Sequence, residues 1–192
     1  MQIDILKEFD EFLEQKIKTN EIELYNEAGL QFQFGLFLKL KYSEIIIEFE
    51  RNINAIGLDK KEDEYHKSVV DILINKKIAI EIKFPTKGAY PKRSYQAIQD
   101  VCFLEKLKKK KKIEGYAIFI TPLYSFFDDR KKCDGIYTYL RKEKRIYKVN
   151  KCDVKSYMSK GLKELDIENS YPFEIKKLKN YEKKYYYYII KI

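Results

Sequence analysis

The stretch VVDILINKKIAIEIKF, residues 69 to 84, holds two apolar runs separated by Asn75, Lys76 and Lys77. Runs rich in Ile, Val and Leu on either side of a short polar break have the layout of a β-hairpin. The pattern predicts strands over Ser68 to Ile74 and Ile78 to Phe84. Side chains on a strand alternate faces, so Glu81 and Lys83 point one way with Ile82 opposite. With an odd-numbered loop centred on Lys76, Asp71 falls directly across from Glu81 and the three polar groups share one face. A two-residue loop would break that alignment, so the site and the turn stand or fall together.

Upstream, Leu6, Phe9, Leu13 and Ile17 recur at near-helical spacing and predict an amphipathic helix over Ile3 to Lys18. Thr19 and Asn20 can cap a second helix from Glu21 to about Leu40, in spite of Gly29 and Gly35. Glu44 to Arg51 reads as a strand from its β-branched and aromatic content, and the charged run Asp59 to Glu64 as a loop. Downstream, Pro85, Gly88 and Pro91 break the chain. Ser94 can then cap a helix from Tyr95 to about Lys108, with Ile98, Val101, Cys102 and Leu104 toward a sheet. Tyr116 to Ile120 follows as a buried strand. Strand, helix and strand in that order suggest a crossover unit, hence an α/β fold with a mixed central β-sheet flanked by helices. Past Pro122, short strands are expected at Tyr137 to Leu140, Arg145 to Val149, Phe173 to Leu178 and Tyr185 to Lys191, the last two forming a hairpin about Lys179 to Lys184. No repeat period is visible.

A chain of 192 residues with 45% hydrophobic content can bury one core, so a single domain over 1–192 is expected. No apolar run approaches the roughly 18 residues that span a bilayer, and the start of the sequence lacks the layout of a secretion signal. A soluble, cytoplasmic protein with no membrane partner follows as the expectation. Cys102, Cys133 and Cys152 are odd in number and lack a CxxC pair, which suggests reduced thiols. Met1 to Glu64 carries 8 Lys/Arg and 15 Asp/Glu, against 31 and 15 over Tyr65 to Ile192. A basic region of that kind attracts phosphates, although a lysine-rich composition also arises without any nucleic-acid partner.

Two carboxylates and an ammonium amid Val69, Val70, Ile72, Ile80 and Ile82 suit phosphodiester hydrolysis. Asp71 and Glu81 can hold Mg²⁺ or Mn²⁺ through oxygen, and Lys83 can orient the attacking water and offset charge on phosphorus. The bland alternative is a cross-strand Lys and Glu pair on a solvated sheet face.

The pattern Asp71, nine residues, Glu81-Ile82-Lys83, on a hairpin followed by a helix, resembles the PD-(D/E)XK nuclease superfamily. The resemblance implies a restriction-endonuclease-like core over about 21–120, with the β-rich C-terminal extension, about 121–192, outside it. It also implies an acidic residue on an early helix, for which Glu27 in NEAGLQ (26–31) matches, with Glu23 as a rival. A glutamine on the helix after the Glu81 strand is a further feature of several subfamilies. Gln96 is the nearest candidate here, and Asp100, one turn on, can point with it at the site. NEAGLQ, FERN (49–52) and IEIKFPTKG (80–88) are together similar to a group of uncharacterised bacterial proteins placed in this superfamily. Val70 stands where proline precedes the aspartate in the superfamily's name, a position at which members vary.

What the resemblance implies is a divalent-metal-dependent DNA endonuclease, in restriction or defence by the habits of the superfamily. A non-catalytic nucleic-acid-binding or assembly protein keeping the fold is one alternative, and a nuclease for branched DNA or RNA another. A homodimer that pairs two active sites follows by analogy alone. Lys87, Lys92 and Arg93, in the loop leaving Lys83, are the expected phosphate contacts. Gly135-Ile136-Tyr137 reads as a strand start rather than a GIY-YIG nuclease opening, because only 55 residues follow it. His66, the single histidine, excludes chemistry that needs several and reads as structural. The lysines of Lys106 to Lys112 suit a helix C-terminus, and Tyr185 to Tyr188 suit packing over base stacking.

Overall fold

The computed structural model describes residues 3–59, 67–88, 90–150, 153 and 164–192; His66, Cys152 and most of the Asp59 to Glu64 run lie outside them. Helix α1 (Ile5–Phe12) starts at Asp4, whose side chain accepts the Lys7 N–H, and continues as a π-helical turn, Leu13–Ile17. Its buried stripe of Ile5, Phe9, Phe12, Leu13 and Ile17 keeps Phe9, Leu13 and Ile17 of the face that the apolar spacing predicts, while Leu6 is only partly buried.

Helix α2 (Glu27–Lys41) begins six residues later than expected from Thr19 and Asn20. Asn20, with φ of 61°, turns the chain out of the first helix, and Asn26 is the true cap, accepting the Gly29 N–H at 2.7 Å. Gly35 has a packing reason: a Cβ there would overlap the ring of Phe49 on the strand beneath.

Strands β1 (Ile47–Asn52), β2 (Val69–Ile74) and β3 (Ile78–Lys83) run antiparallel in succession. Helix α3 (Tyr90–Lys111) then crosses over to β4 (Glu114–Thr121), which lies parallel to β3. The helix starts five residues ahead of its predicted start: Pro91 suits a first turn, and Ser94 is buried within the helix instead of capping it. Ile98, Val101, Cys102 and Leu104 are fully buried, and Lys108 to Lys111 fill the last turn.

The C-terminal third departs most from expectation. Tyr137 to Leu140 is no strand, since Thr138–Glu143 forms a π-helical turn that buries Arg141 against the carbonyls of Ser125 and Lys132. Gly135, at φ of 56°, turns the chain just ahead of it. The strand expected over Arg145 to Val149 shrinks to β5 (Arg145–Ile146), paired with β6 (Tyr171–Pro172) in a separate two-stranded sheet. Beyond them, β7 (Lys176–Lys179) and β8 (Lys184–Lys191) form the expected hairpin, with Asn180 Oδ1 accepting the N–H groups of Glu182 and Lys183 in its turn.

That hairpin is no peripheral addition. β8 pairs antiparallel with β4, and the main sheet has six strands in the order β1-β2-β3-β4-β8-β7. The fold is therefore a mixed α/β architecture with a mixed six-stranded sheet between helices. Ile72, Ile74, Ile80, Ile82 and Ile118 face α1 and α2, while Leu73, Ala79, Ala117, Phe119 and Ile190 face α3. Strands covered on both faces read as nearly unbroken apolar runs. Tyr185, Tyr187 and Tyr188 are buried in these two layers, the packing role expected of them. Among the described residues no helix is long and apolar enough to cross a membrane.

Candidate functional site

The β2–β3 register pairs Ile72 with Ile80, Leu73 with Ala79 and Ile74 with Ile78, so it is centred on Lys76. Continued one residue, it sets Asp71 across from Glu81. The turn is made by Asn75 and Lys76, both at positive φ (50° and 54°), with Lys77 N–H donating to the Ile74 carbonyl at 2.9 Å. Asn75 Oδ1 accepts the Ile46 N–H at 2.8 Å, which ties the turn to the chain entering β1. Asp71, Glu81 and Lys83 consequently lie together on the face covered by α3, where the sequence pattern places them.

Asp71 is 6% exposed, Glu81 1% and the α3 residue Asp100 4%, so three carboxylates are buried side by side. Two ammonium groups meet them from different sides. Lys83 Nζ lies 3.1 Å from Glu27 Oε1, 3.3 Å from Asp100 Oδ2 and 3.9 Å from Asp71 Oδ2. Lys67 Nζ pairs with Glu81 Oε2 and lies 3.3 Å from Asp100 Oδ1 and 3.7 Å from Asp71 Oδ1.

Burying charge is costly unless each group is paired, and the cluster is only partly balanced. Burial first, and the Asp71 charge second, push the Glu81 carboxyl well above its ordinary range; burial also raises Asp100. Burial works against the charged form of Lys83, but Asp100, Asp71 and Glu27 outweigh it and leave its pKa raised. Lys83 is thus an ammonium at neutral pH, suited to orienting water and offsetting negative charge instead of abstracting a proton.

Glu27, at the first position of α2, accepts from Lys83 and also from the Phe84 N–H at 3.0 Å, joining helix to strand end. Its rival Glu23 pairs with Lys183. Gln96 accepts from Arg93 Nη1 at 3.0 Å; Asp100, one turn on, is the α3 residue that enters the cluster. Arg93, Lys87, Phe84 and Glu27 line a cleft of about 660 Å³ beside the cluster, whereas Lys92 is exposed outside that lining.

One further feature lies in the neighbourhood. Glu50 stands across from Asp71 in the β1–β2 register, between the pairs Phe49–Ile72 and Arg51–Val70. Its φ of 47° is unusual for a strand residue, and desolvation followed by the Asp71 charge raises its carboxyl pKa. Lys67, just ahead of β2, had no local signal: one lysine among many shows nothing of the carboxylates it meets. Asp100 did leave a trace, as an acid among the buried residues Ile98, Val101 and Cys102 of one helix.

Neither family models, nor curated proteins, nor solved structures gave a match to this chain. The site therefore has to be judged on its own chemistry. Among the described residues no three His, Cys, Asp or Glu side chains converge as a ready-made metal cage, and the Lys67 ammonium stands at the carboxylates instead. The donor set nonetheless fits a hard divalent cation. The carboxylate oxygens of Asp71 and Glu81 are the right ligands, and the buried Glu81 Oε1 has no hydrogen-bond partner among the described residues.

Proposed function

We propose that this chain is a divalent-metal-dependent endonuclease acting on DNA, built on a restriction-endonuclease-like core of the PD-(D/E)XK kind. The observation that carries the reading is the placing of Asp71, Glu81 and Lys83 on one buried face by a hairpin register centred on Lys76. Glu27 at the mouth of the cleft supports it.

Asp71 and Glu81 would hold Mg²⁺ or Mn²⁺, which when bound supplies Lewis acidity and a water of lowered pKa. Lys83, kept charged and aimed by Glu27 and Asp100, orients the attacking water and stabilises charge on the phosphoryl oxygens. Arg93 and Lys87 on the cleft wall attract the phosphate backbone, and Gln96 holds the Arg93 guanidinium in place. A restriction or defence setting, a cytoplasmic location and a homodimer belong to the same reading by analogy with the superfamily.

One observation favours the rival reading, a nucleic-acid-binding protein that keeps the fold without catalysis. Lys67 already neutralises part of the carboxylate cluster. Cleavage of plasmid, single-stranded DNA, branched DNA and RNA with Mg²⁺ or Mn²⁺ decides between them. Metal-dependent cleavage by the wild type, lost in Lys83→Ala, is the expected result. Equal cleavage by both proteins would remove Lys83 from the mechanism, and salt-sensitive binding without cleavage by either would establish the rival. Cleavage confined to branched DNA or RNA would reassign the substrate.

A further inference from the structure

The two ammonium groups of the cluster are not equivalent. Lys67 approaches Oδ1 of both Asp71 and Asp100, whereas Lys83 approaches Oδ2 of both. Of the two, Lys67 is the one that pairs with Glu81, through Oε2, and Glu81 Oε1 stays buried without a hydrogen-bond partner among the described residues. Lys83 has Glu27 as a partner of its own, so removing Lys67 would leave the Lys83 contacts standing.

Charge points the same way. Asp71, Glu81, Asp100 and the Lys83 partner Glu27 carry two more negative charges than Lys67 and Lys83 can neutralise when all are ionised. Exchange of the single charge of Lys67 for a divalent ion halves that excess. Lys67 Nζ occupies the space between Glu81 Oε2 and the Oδ1 atoms of Asp71 and Asp100, and two cations at contact distance repel, so a metal ion and the ammonium compete for that position. Lys67 is also able to leave. Its side chain is 22% exposed, where that of Lys83 is 13%, and a long aliphatic stem lets an ammonium swing toward water.

We propose that Lys67 is a built-in counter-ion seated in the divalent-cation position of Asp71 and Glu81, with Asp100 beside it, so that Mg²⁺ or Mn²⁺ binds only as the Lys67 ammonium withdraws. The proposal rests on the reading of Asp71 and Glu81 as metal ligands and adds a competitor that sets how tightly the metal is held. Lys67 is then a positioning residue that holds three buried carboxylates together until a metal ion displaces it.

Mn²⁺ alone, with no nucleic acid present, is the probe, its binding to the full chain followed by electron paramagnetic resonance or calorimetry. Lys67→Met, close in length and uncharged, should bind Mn²⁺ about tenfold or more tightly than the wild type at equal pH and salt. Adding Glu81→Gln to Lys67→Met should abolish that gain. Equal or weaker binding by Lys67→Met would overturn the proposal, and loss of the wild-type binding in Glu81→Gln would still leave the metal reading in place. Absence of Mn²⁺ binding in both the wild type and Lys67→Met would overturn the two together. Should Lys67→Met fail to fold, Lys67→Arg carries the test: a fixed charge with a forked head holds carboxylates more firmly, so affinity must fall below wild type. Unchanged or higher affinity in that variant would refute the competition.

Discussion

The backbone N–H of Ile82 donates to Asp71 Oδ2 at 2.8 Å, which locks the Asp71 carboxylate onto the residue between Glu81 and Lys83. The mutual placement of the three groups is thus a property of the hairpin and not of their rotamers alone. Both strands answer to one turn, in which Lys76 holds a left-handed conformation at φ of 54°.

An L-residue in that conformation costs about 1 kcal/mol, and Asn-Gly is the preferred pair for such a turn. Lys76→Gly should therefore raise stability by about 0.5 kcal/mol with the register kept, the relieved strain less the entropy of glycine in the unfolded chain, measured as a higher urea midpoint. Inserting one residue after Lys76 should instead turn Glu81 and Lys83 to the opposite face and lower stability sharply. A lower midpoint for Lys76→Gly would contradict the turn geometry.

Glu27 joins α2 to the end of β3 through the Phe84 N–H and the Lys83 ammonium. Glu27→Ala should lower stability by about 1–2 kcal/mol, because a partly buried donor loses its acceptor. Glu27→Gln retains one acceptor and should cost less. Glu23→Ala removes only the exposed pair with Lys183 and should leave the denaturation midpoint in place. Equal losses for Glu23 and Glu27 would show that neither is tied to the site.

The hairpin and the α1 stripe were legible because their information is local: alternating apolar residues around Asn75 to Lys77, and an apolar step of three to four from Phe9 to Ile17. The position of the last hairpin was legible for the same reason. Its partner was not, since pairing of β8 with β4 depends on which sheet edge β4 leaves open, some 70 positions away in the chain. Tyr137 to Leu140 has strand-like composition, but the buried Arg141 guanidinium draws the Ser125 and Lys132 carbonyls around it and holds a helical turn. In the site, Asp71, Glu81 and Lys83 shared a face by arithmetic of register. Asp100 was legible beside Gln96, one turn away on a helix expected to face the sheet, whereas Lys67 reaches the site from a segment whose local pattern records no sheet neighbour.

Glu50 holds φ of 47° within β1, opposite Asp71. Backbone strain beside a charged cluster is the kind of feature found at functional sites. Ala keeps the strain that Gly relieves, so Glu50→Gly should be more stable than Glu50→Ala by about 1 kcal/mol, less part of that for the entropy of glycine in the unfolded chain. Denaturant midpoints of the two variants make the comparison. The reverse order would mean that the strand does not hold Glu50 in a left-handed conformation.

Acid stability should depend on Glu105 of α3. Its carboxylate accepts from the N–H of Glu168 at 2.8 Å, the N–H and Nδ2 of Asn169 at 3.0 and 2.8 Å, and the Tyr171 hydroxyl at 2.8 Å, pinning the approach to β6 against the helix. Burial alone would raise its pKa, but these four hydrogen bonds outweigh burial and hold it below its ordinary value of 4.5. A lowered folded value means that the unfolded chain takes up the proton first as pH falls. The contribution of Glu105 is therefore complete above about pH 4.5 and is lost as pH drops through the folded value. Glu105→Gln, whose amide nitrogen donates where the carboxylate accepted, should be less stable than wild type by about 2 kcal/mol at pH 7. That difference should shrink steadily in urea titrations taken below pH 4.5. A gap between wild type and variant that keeps its full size into strong acid would show that the ionised carboxylate is not what holds the C-terminal segment.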